Sequence, residues 1–264
     1  QRLADGTRIV AAIRGRDAIY VWTDTSLFIM RFVGAPFVFS FQQVGTNCGL
    51  IGKNAAVEVD GSAYWMSENG FFRYTGRLES LACLVEDYVY DDINTVPRQH
   101  IYAGLNNLFG EVTWFYPGSG AASNNRSVTY NYMDSTPERP VWTTSTLARS
   151  TWADSSIFGK PHGTEYDSDA TSDTTVGNTD GVTIYYEHET GVNQIKAGSS
   201  SAIAASIESG DFDISAVQGG GADLRGDGEY IMKIRRVLPD FLQQTGDARV
   251  TLNLKNYPTD SQAS

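Results

Sequence analysis

The side chains able to do chemistry in this chain are few and scattered. Cys48 and Cys83 are its two thiols, and His100, His162 and His188 its three imidazoles. Neither set has the spacing of a metal site, and no H-E-x-x-H, G-x-S-x-G or G-x-x-x-x-G-K-[ST] pattern occurs. His188 stands between Glu187 and Glu189, the setting of a solvated turn residue. Two facing carboxylates would hydrolyse glycosides by acid–base catalysis, but with 31 Asp and Glu no pair singles itself out. Asp167-Ser-Asp169-Ala-Thr171 opens like a calcium loop. Ser172 then replaces the required glycine, and Asn178 stands where a bidentate Glu belongs. The tract from Asp167 to Asp180 is therefore either a mobile loop or an ion site. Arg225-Gly226-Asp227 reads as a tight turn. On these grounds the catalytic, cofactor and metal residues are each set at none, and an enzyme is not expected.

Whatever these residues do, strands must position them. The stretch Asn54 to Gly76 holds three short runs separated by Asp60-Gly61 and Glu68-Asn69-Gly70. Asp-Gly and Asn-Gly between aromatic or β-branched runs predict tight hairpins, because type I′ turns need positive φ at both central residues. The middle of this meander recurs. Trp22-Thr-Asp-Thr-Ser-Leu-Phe28 and Trp152-Ala-Asp-Ser-Ser-Ile-Phe158 agree position by position in residue type, and Trp65-Met-Ser-Glu-Asn-Gly-Phe71 is a looser copy. Tyr186 to Val192 keeps only an aromatic, an acid and a turn. With Trp114 included, these anchors fall about 35 to 50 residues apart, the length of a four-stranded propeller blade.

The expected fold is all-β: propeller-like repeated antiparallel meanders over 1–196, one short helix, and a small β-sandwich-like region over 197–264. Strands are expected at 9–13, 18–22, 27–32 and 37–41, with Phe37, Phe39 and Phe41 as a core stripe. Residues 41–52 read as a structured loop. Leu81 to Asn94 changes to a period of three to four and predicts an amphipathic helix. Further strands are expected within 100–116, 126–133 and 182–186, a linker at Ala197 to Ser201, and strands at 203–207, 231–238 and 249–254.

Composition agrees. Of 264 residues, 41% are hydrophobic and only 19% charged, with abundant Gly, and no apolar run reaches the roughly 20 residues that span a bilayer. A soluble, folded chain is expected. Gln1 enters directly on a repeat, which suggests a piece of something longer with further blades upstream. The net charge of -11 argues against a surface that grips nucleic acid but suits a channel through which DNA slides. Cys48 and Cys83 form either one disulfide or two free thiols in a reducing cytosol.

Three stretches carry a resemblance. Gln43-Val-Gly-Thr-Asn-Cys-Gly-Leu-Ile-Gly52, Ala63-Tyr-Trp-Met-Ser-Glu-Asn-Gly-Phe-Phe72 and Glu86-Asp-Tyr-Val-Tyr-Asp-Asp-Ile-Asn94 resemble the tail-nozzle, or packaged-DNA stabilisation, proteins of short-tailed bacteriophages. Ile207 to Ile214 and Arg235-Arg-Val-Leu-Pro-Asp240 are similar to the end region of the same group. The resemblance implies a virion structural protein, assembled in the host cytoplasm and resident in the tail. It implies a hexameric ring of this chain below the portal and head-to-tail adaptor, in contact with tail needle, fibre or tailspike proteins. Such a ring retains packaged genomic DNA and conducts it at ejection. It supplies no catalytic residue to carry over. The alternative reading is a glycan-binding or glycan-cleaving β-propeller.

Overall fold

A computed structural model of the chain describes residues 3–155, 157–167, 181–196, 199–203, 206–207, 233–238 and 247–254. The chain divides into two compact units, Gln1–Ile203 and Ala204–Ser264. Every strand among the described residues belongs to the first unit.

Three four-stranded antiparallel sheets follow one another, each a simple meander in chain order. The first is β1 (Ile9–Arg14), β2 (Ile19–Thr23), β3 (Ser26–Phe32) and β4 (Phe39–Thr46). The second is β5 (Ala56–Val59), β6 (Ser62–Ser67), β7 (Gly70–Tyr74) and β8 (Leu78–Leu81), and the third β9 (Tyr102–Asn106), β10 (Glu111–Tyr116), β11 (Arg126–Asn131) and β12 (Trp142–Ser145). A three-stranded sheet comes next, with β13 (Thr151–Ala153), β14 (His162–Asp167) and β15 (Val182–Glu187), then the hairpin β16 (Asn193–Lys196) and β17 (Ser199–Ala202). Among the described residues no sheet closes on itself.

The turn chemistry sets the central hairpin. Asp60 and Gly61 take φ of 48° and 87°, as a type I′ turn demands, and Glu58 accepts the Gly61 N–H. At the next turn only Gly70 is left-handed, so that hairpin closes with a different geometry.

Successive sheets meet along their first strands: β1 packs beside β5, β5 beside β9, and β9 beside β13. The Ala103 N–H donates to Asn54 O at 2.7 Å across the second of these junctions. Trp22, Trp65 and Trp114 sit on β2, β6 and β10, the second strand of each sheet, and all three are fully buried. Trp22 and Trp65 meet edge to face at 5.4 Å, and Phe71 reaches Trp114 at 5.0 Å. Removing such a ring from a core costs about 3–5 kcal/mol. The indole N–H of Trp65 donates to Cys48 O at 2.7 Å, that of Trp114 to Ala55 O at 3.0 Å, and that of Trp152 to Leu105 O at 2.8 Å. In the last two cases the acceptor is the residue just before β5 and a residue of β9, so each bond ties one sheet to the next.

Several expectations change. Phe37 and Phe39 do not form a core stripe: they are 76% and 48% exposed, because the β3–β4 hairpin projects beyond the packed sheets. β4 runs on to Thr46, so the loop into the second sheet is shorter than periodicity indicates. The helix α1 spans only Glu86–Asp92, with Val89 buried, while Leu84 and Tyr88 face outward. Ser199 to Ser201 are strand rather than linker, since β17 pairs with β16. In the second unit the described residues 206–207, 233–238 and 247–254 belong to none of these strands, and residues 204–205, 208–232, 239–246 and 255–264 of the expected β-sandwich lie outside the described residues.

Candidate functional site

Arg149 is the most deeply buried charge among the described residues, at 5% exposure, and it organises one end of the three-stranded sheet. It sits two residues before β13. The Asn124 amide fixes its backbone by donating to Arg149 O at 2.9 Å, and Ser150 N–H donates to Thr164 O at 2.6 Å. On β14, Gly163 leaves the space the side chain crosses: a Cβ there would stand 2.9 Å from Arg149 Cδ. The guanidinium lies 4.0 Å over the Tyr186 ring, and its Nη1 reaches Glu165 Oε2 at 3.5 Å.

Arg149 Nε–H also donates to His188 Nε2 at 2.9 Å, and the Trp152 and His188 rings are 4.4 Å apart. Burial, then the Arg149 and His162 charges, pull the His188 pKa down to about 4. At neutral pH its ring is therefore uncharged, which is the state that can accept from Arg149. This corrects the expectation of a solvated turn residue. The guanidinium and imidazole are each committed to neighbours within the sheet, so the cluster's chemistry is that of an internal brace.

The other expected residues are placed as follows. His162 pairs in register with Glu187, beside His188, and hydrogen-bonds Tyr185 Oη through Nδ1. Two histidines distant in sequence thus stand at one end of the same sheet, His162 on β14 and His188 just after β15, while His100 is exposed elsewhere with Nδ1 2.9 Å from Ala122 O. Cys48 and Cys83 are free thiols, and burial pushes them up to about 11 and about 12, which leaves little thiolate for reaction. No group of three or more His, Cys, Asp or Glu that could hold a metal occurs among the described residues. Residues 168–180 and the 225–227 tripeptide lie outside the described residues.

The Trp-x-Asp repeat proves partly structural. Asp24 accepts the Thr7 N–H at 2.8 Å and the Thr7 hydroxyl, and Asp154 accepts the Asn107 N–H at 2.7 Å. Each acid therefore latches a neighbouring segment. Beyond it the copies diverge: Leu27 and Phe28 are buried on β3, whereas Ile157 and Phe158 are exposed in a loop. The looser copy at Trp65 is the one that occupies the same place in its sheet as Trp22.

A shallow groove of about 540 Å³ opens between the β1–β2 and β5–β6 turns, lined by Arg14, Gly15, Arg16, Glu58, Asp60 and Gly61. Tyr20 Oη donates to Gly61 O at 2.9 Å, which ties the two turns together. Arg14 and Arg16 come from the β1–β2 side and Glu58 and Asp60 from the β5–β6 side, so the groove carries both signs of charge. Sequence reading missed Arg149 because its side-chain partners stand 16 and 39 residues away, with no local pattern to connect them.

No family model matches the chain, and no curated protein matches it. No helix among the described residues is long and apolar enough to cross a membrane.

Proposed function

We propose that this chain is a structural protein of a short-tailed bacteriophage tail, a nozzle subunit that assembles as a ring below the head-to-tail adaptor, retains packaged DNA and conducts it at ejection. The observation that carries this reading is the row of first strands, β1 beside β5 beside β9 beside β13, each opening its own meander. Blades follow one another around a propeller axis in a like order, and this supports reading the chain as propeller-like. The resemblance of residues 43–52, 63–72 and 86–94 to the nozzle proteins supports the same conclusion, as does the net charge of -11, which disfavours tight contact with phosphate. The partners are further copies of the chain, the adaptor, and needle, fibre or tailspike proteins.

Mass by light scattering, alone and with a head-to-tail adaptor ring, followed by negative-stain imaging, tests the proposal. The expected outcome is a ring of about six subunits, formed alone or on the adaptor. A chain that stays monomeric in both conditions overturns it, and binding to glycans is then the property to measure.

A further inference from the structure

A cleft of about 230 Å³ opens where the segments entering three first strands come together. Arg8 stands immediately before β1, Lys53 lies on the loop before β5, and Arg98 opens the short helical turn Arg98–His100 before β9. All three line the cleft and no carboxylate does. In a chain whose acids outnumber its bases 31 to 20, a cleft walled by three cations departs from the general surface.

Two of these cations are uncommitted. Arg8 and Lys53 are exposed and form no ion pair with any described residue. Arg98 Nη1 donates to Glu68 Oε1 at 2.6 Å, and no other guanidinium nitrogen of Arg98 bonds a described residue. Asp24, the acid beside Arg8, accepts from the backbone N–H groups of Thr7 and Arg8 instead of from the Arg8 side chain. The loop adds backbone donors: the Gly52 and Lys53 N–H groups donate to no described residue, although Gly52 is buried. A buried backbone donor without a partner is uncommon, and a bound acceptor would satisfy it.

The walls are held in place. A Cβ on Gly52 would stand 2.3 Å from Arg98 O, so the loop lies directly on the turn, and the Ala55 N–H closes back on Gly52 O at 3.0 Å. The Asp24 N–H donates to Arg8 O at 3.2 Å. The β1–β2 register breaks between Ile9 and Ala11, and Val10 at that break also lines the cleft. Such bulges bend a strand and re-aim its side chains, and they are frequent beside functional sites.

We infer that this cleft binds a phosphate group, carried by free phosphate or by a phosphomonoester, with Arg8, Lys53 and Arg98 supplying charge and the Gly52 and Lys53 N–H groups supplying donors. Arginine forks and a lysine point charge both suit phosphate oxygens, and backbone N–H groups in a turn complete such anion sites. The net charge of -11 does not oppose it. A single phosphate responds to charges within a Debye length, about 10 Å at 0.1 M salt, whereas a duplex meets the whole acidic surface. Exposed cations bind weakly, so a dissociation constant of about 1 mM is expected, too weak for a gel shift at micromolar chain. The site is independent of the ring reading above.

Phosphorus NMR relaxation of inorganic phosphate, titrated with the full chain, tests the site. Saturable binding is expected, displaced by adenosine monophosphate and not by acetate at the same concentration. R8Q and K53Q are each expected to weaken it by about threefold, and R8Q/K53Q by about tenfold. Both positions are exposed, and circular dichroism checks that the variants are folded. R31Q removes an equal charge from an exposed position on β3 and should leave binding unchanged. Adenosine monophosphate binding more tightly than phosphate assigns the site to a phosphomonoester, and the reverse assigns it to free phosphate. Absence of saturable binding, equal competition by acetate, or an equal loss in R31Q overturns the site. None of these outcomes touches the nozzle reading, and a monomeric chain that still binds phosphate overturns only the latter.

Discussion

At the scale of single residues, the His188 and Arg149 pair links burial to acid sensitivity. Neutral His188 accepts from Arg149, and its pKa falls from an ordinary 6.5 to about 4. In the unfolded chain the same imidazole takes up a proton near pH 6.5. Between these values the unfolded state binds more protons than the native one, so stability is full above pH 6.5 and declines as pH falls toward 4. Thermal melts from pH 7 to pH 4 should show that decline, and H188Q, whose amide oxygen can still accept from Arg149, should flatten it. An unchanged pH slope in H188Q would assign the decline to other groups. The Asp24 carboxyl, held low first of all by the Thr7 hydroxyl, contributes only further down the acid range.

At the scale of elements, the connection between the first two sheets explains a glycine-rich stretch that has no periodicity. Cys48 N–H donates to Thr25 O at 3.0 Å and Leu50 N–H to Thr23 O at 3.2 Å, so the segment runs flush against the β2–β3 turn. Gly49 lies between them, and a Cβ there would fall 2.1 Å from Asp24 O. That neighbour is backbone and cannot swing aside. G49A is therefore expected to cost about 1–3 kcal/mol or more in urea unfolding, with the midpoint lowered and the slope unchanged. A variant as stable as wild type would mean that this connection can shift without loss. Asp60-Gly61 was legible from sequence because its turn is local; the role of Gly49 was not, since its reason is an atom 25 residues earlier in the chain.

At the scale of the whole molecule, the net charge of -11 sets what the chain can hold. Phosphate binding draws its strength from Lys and Arg that release counterions, and here the basic side chains are outnumbered, 20 to 31. Gel-shift titration with duplex DNA at about 0.05 M salt is expected to give no complex at micromolar chain, because low salt favours any phosphate contact that exists. A complex that weakens steeply with salt would overturn the picture of a conduit that DNA passes without being gripped.

Sequence by itself determined the β class, the Asp60-Gly61 hairpin, the recurrence of buried tryptophans and the short helix. Strands, turn and helix depend on neighbours within a few residues, where period and turn chemistry act directly, and the tryptophans recur at a spacing that is visible without the fold. It also marked Trp22, Trp65 and Trp114 as anchors, but ranked the copies by residue type and so matched Trp22 with Trp152. Only the tertiary structure decided that Trp65 is the true equivalent, that Phe37 and Phe39 face outward, and that Arg149 is braced by His188 and Glu165. An alternating apolar strand has the same pattern whether its face meets a second sheet or solvent. Which of these it meets depends on how far each hairpin extends past its packed neighbours, and that is settled only when the sheets come together.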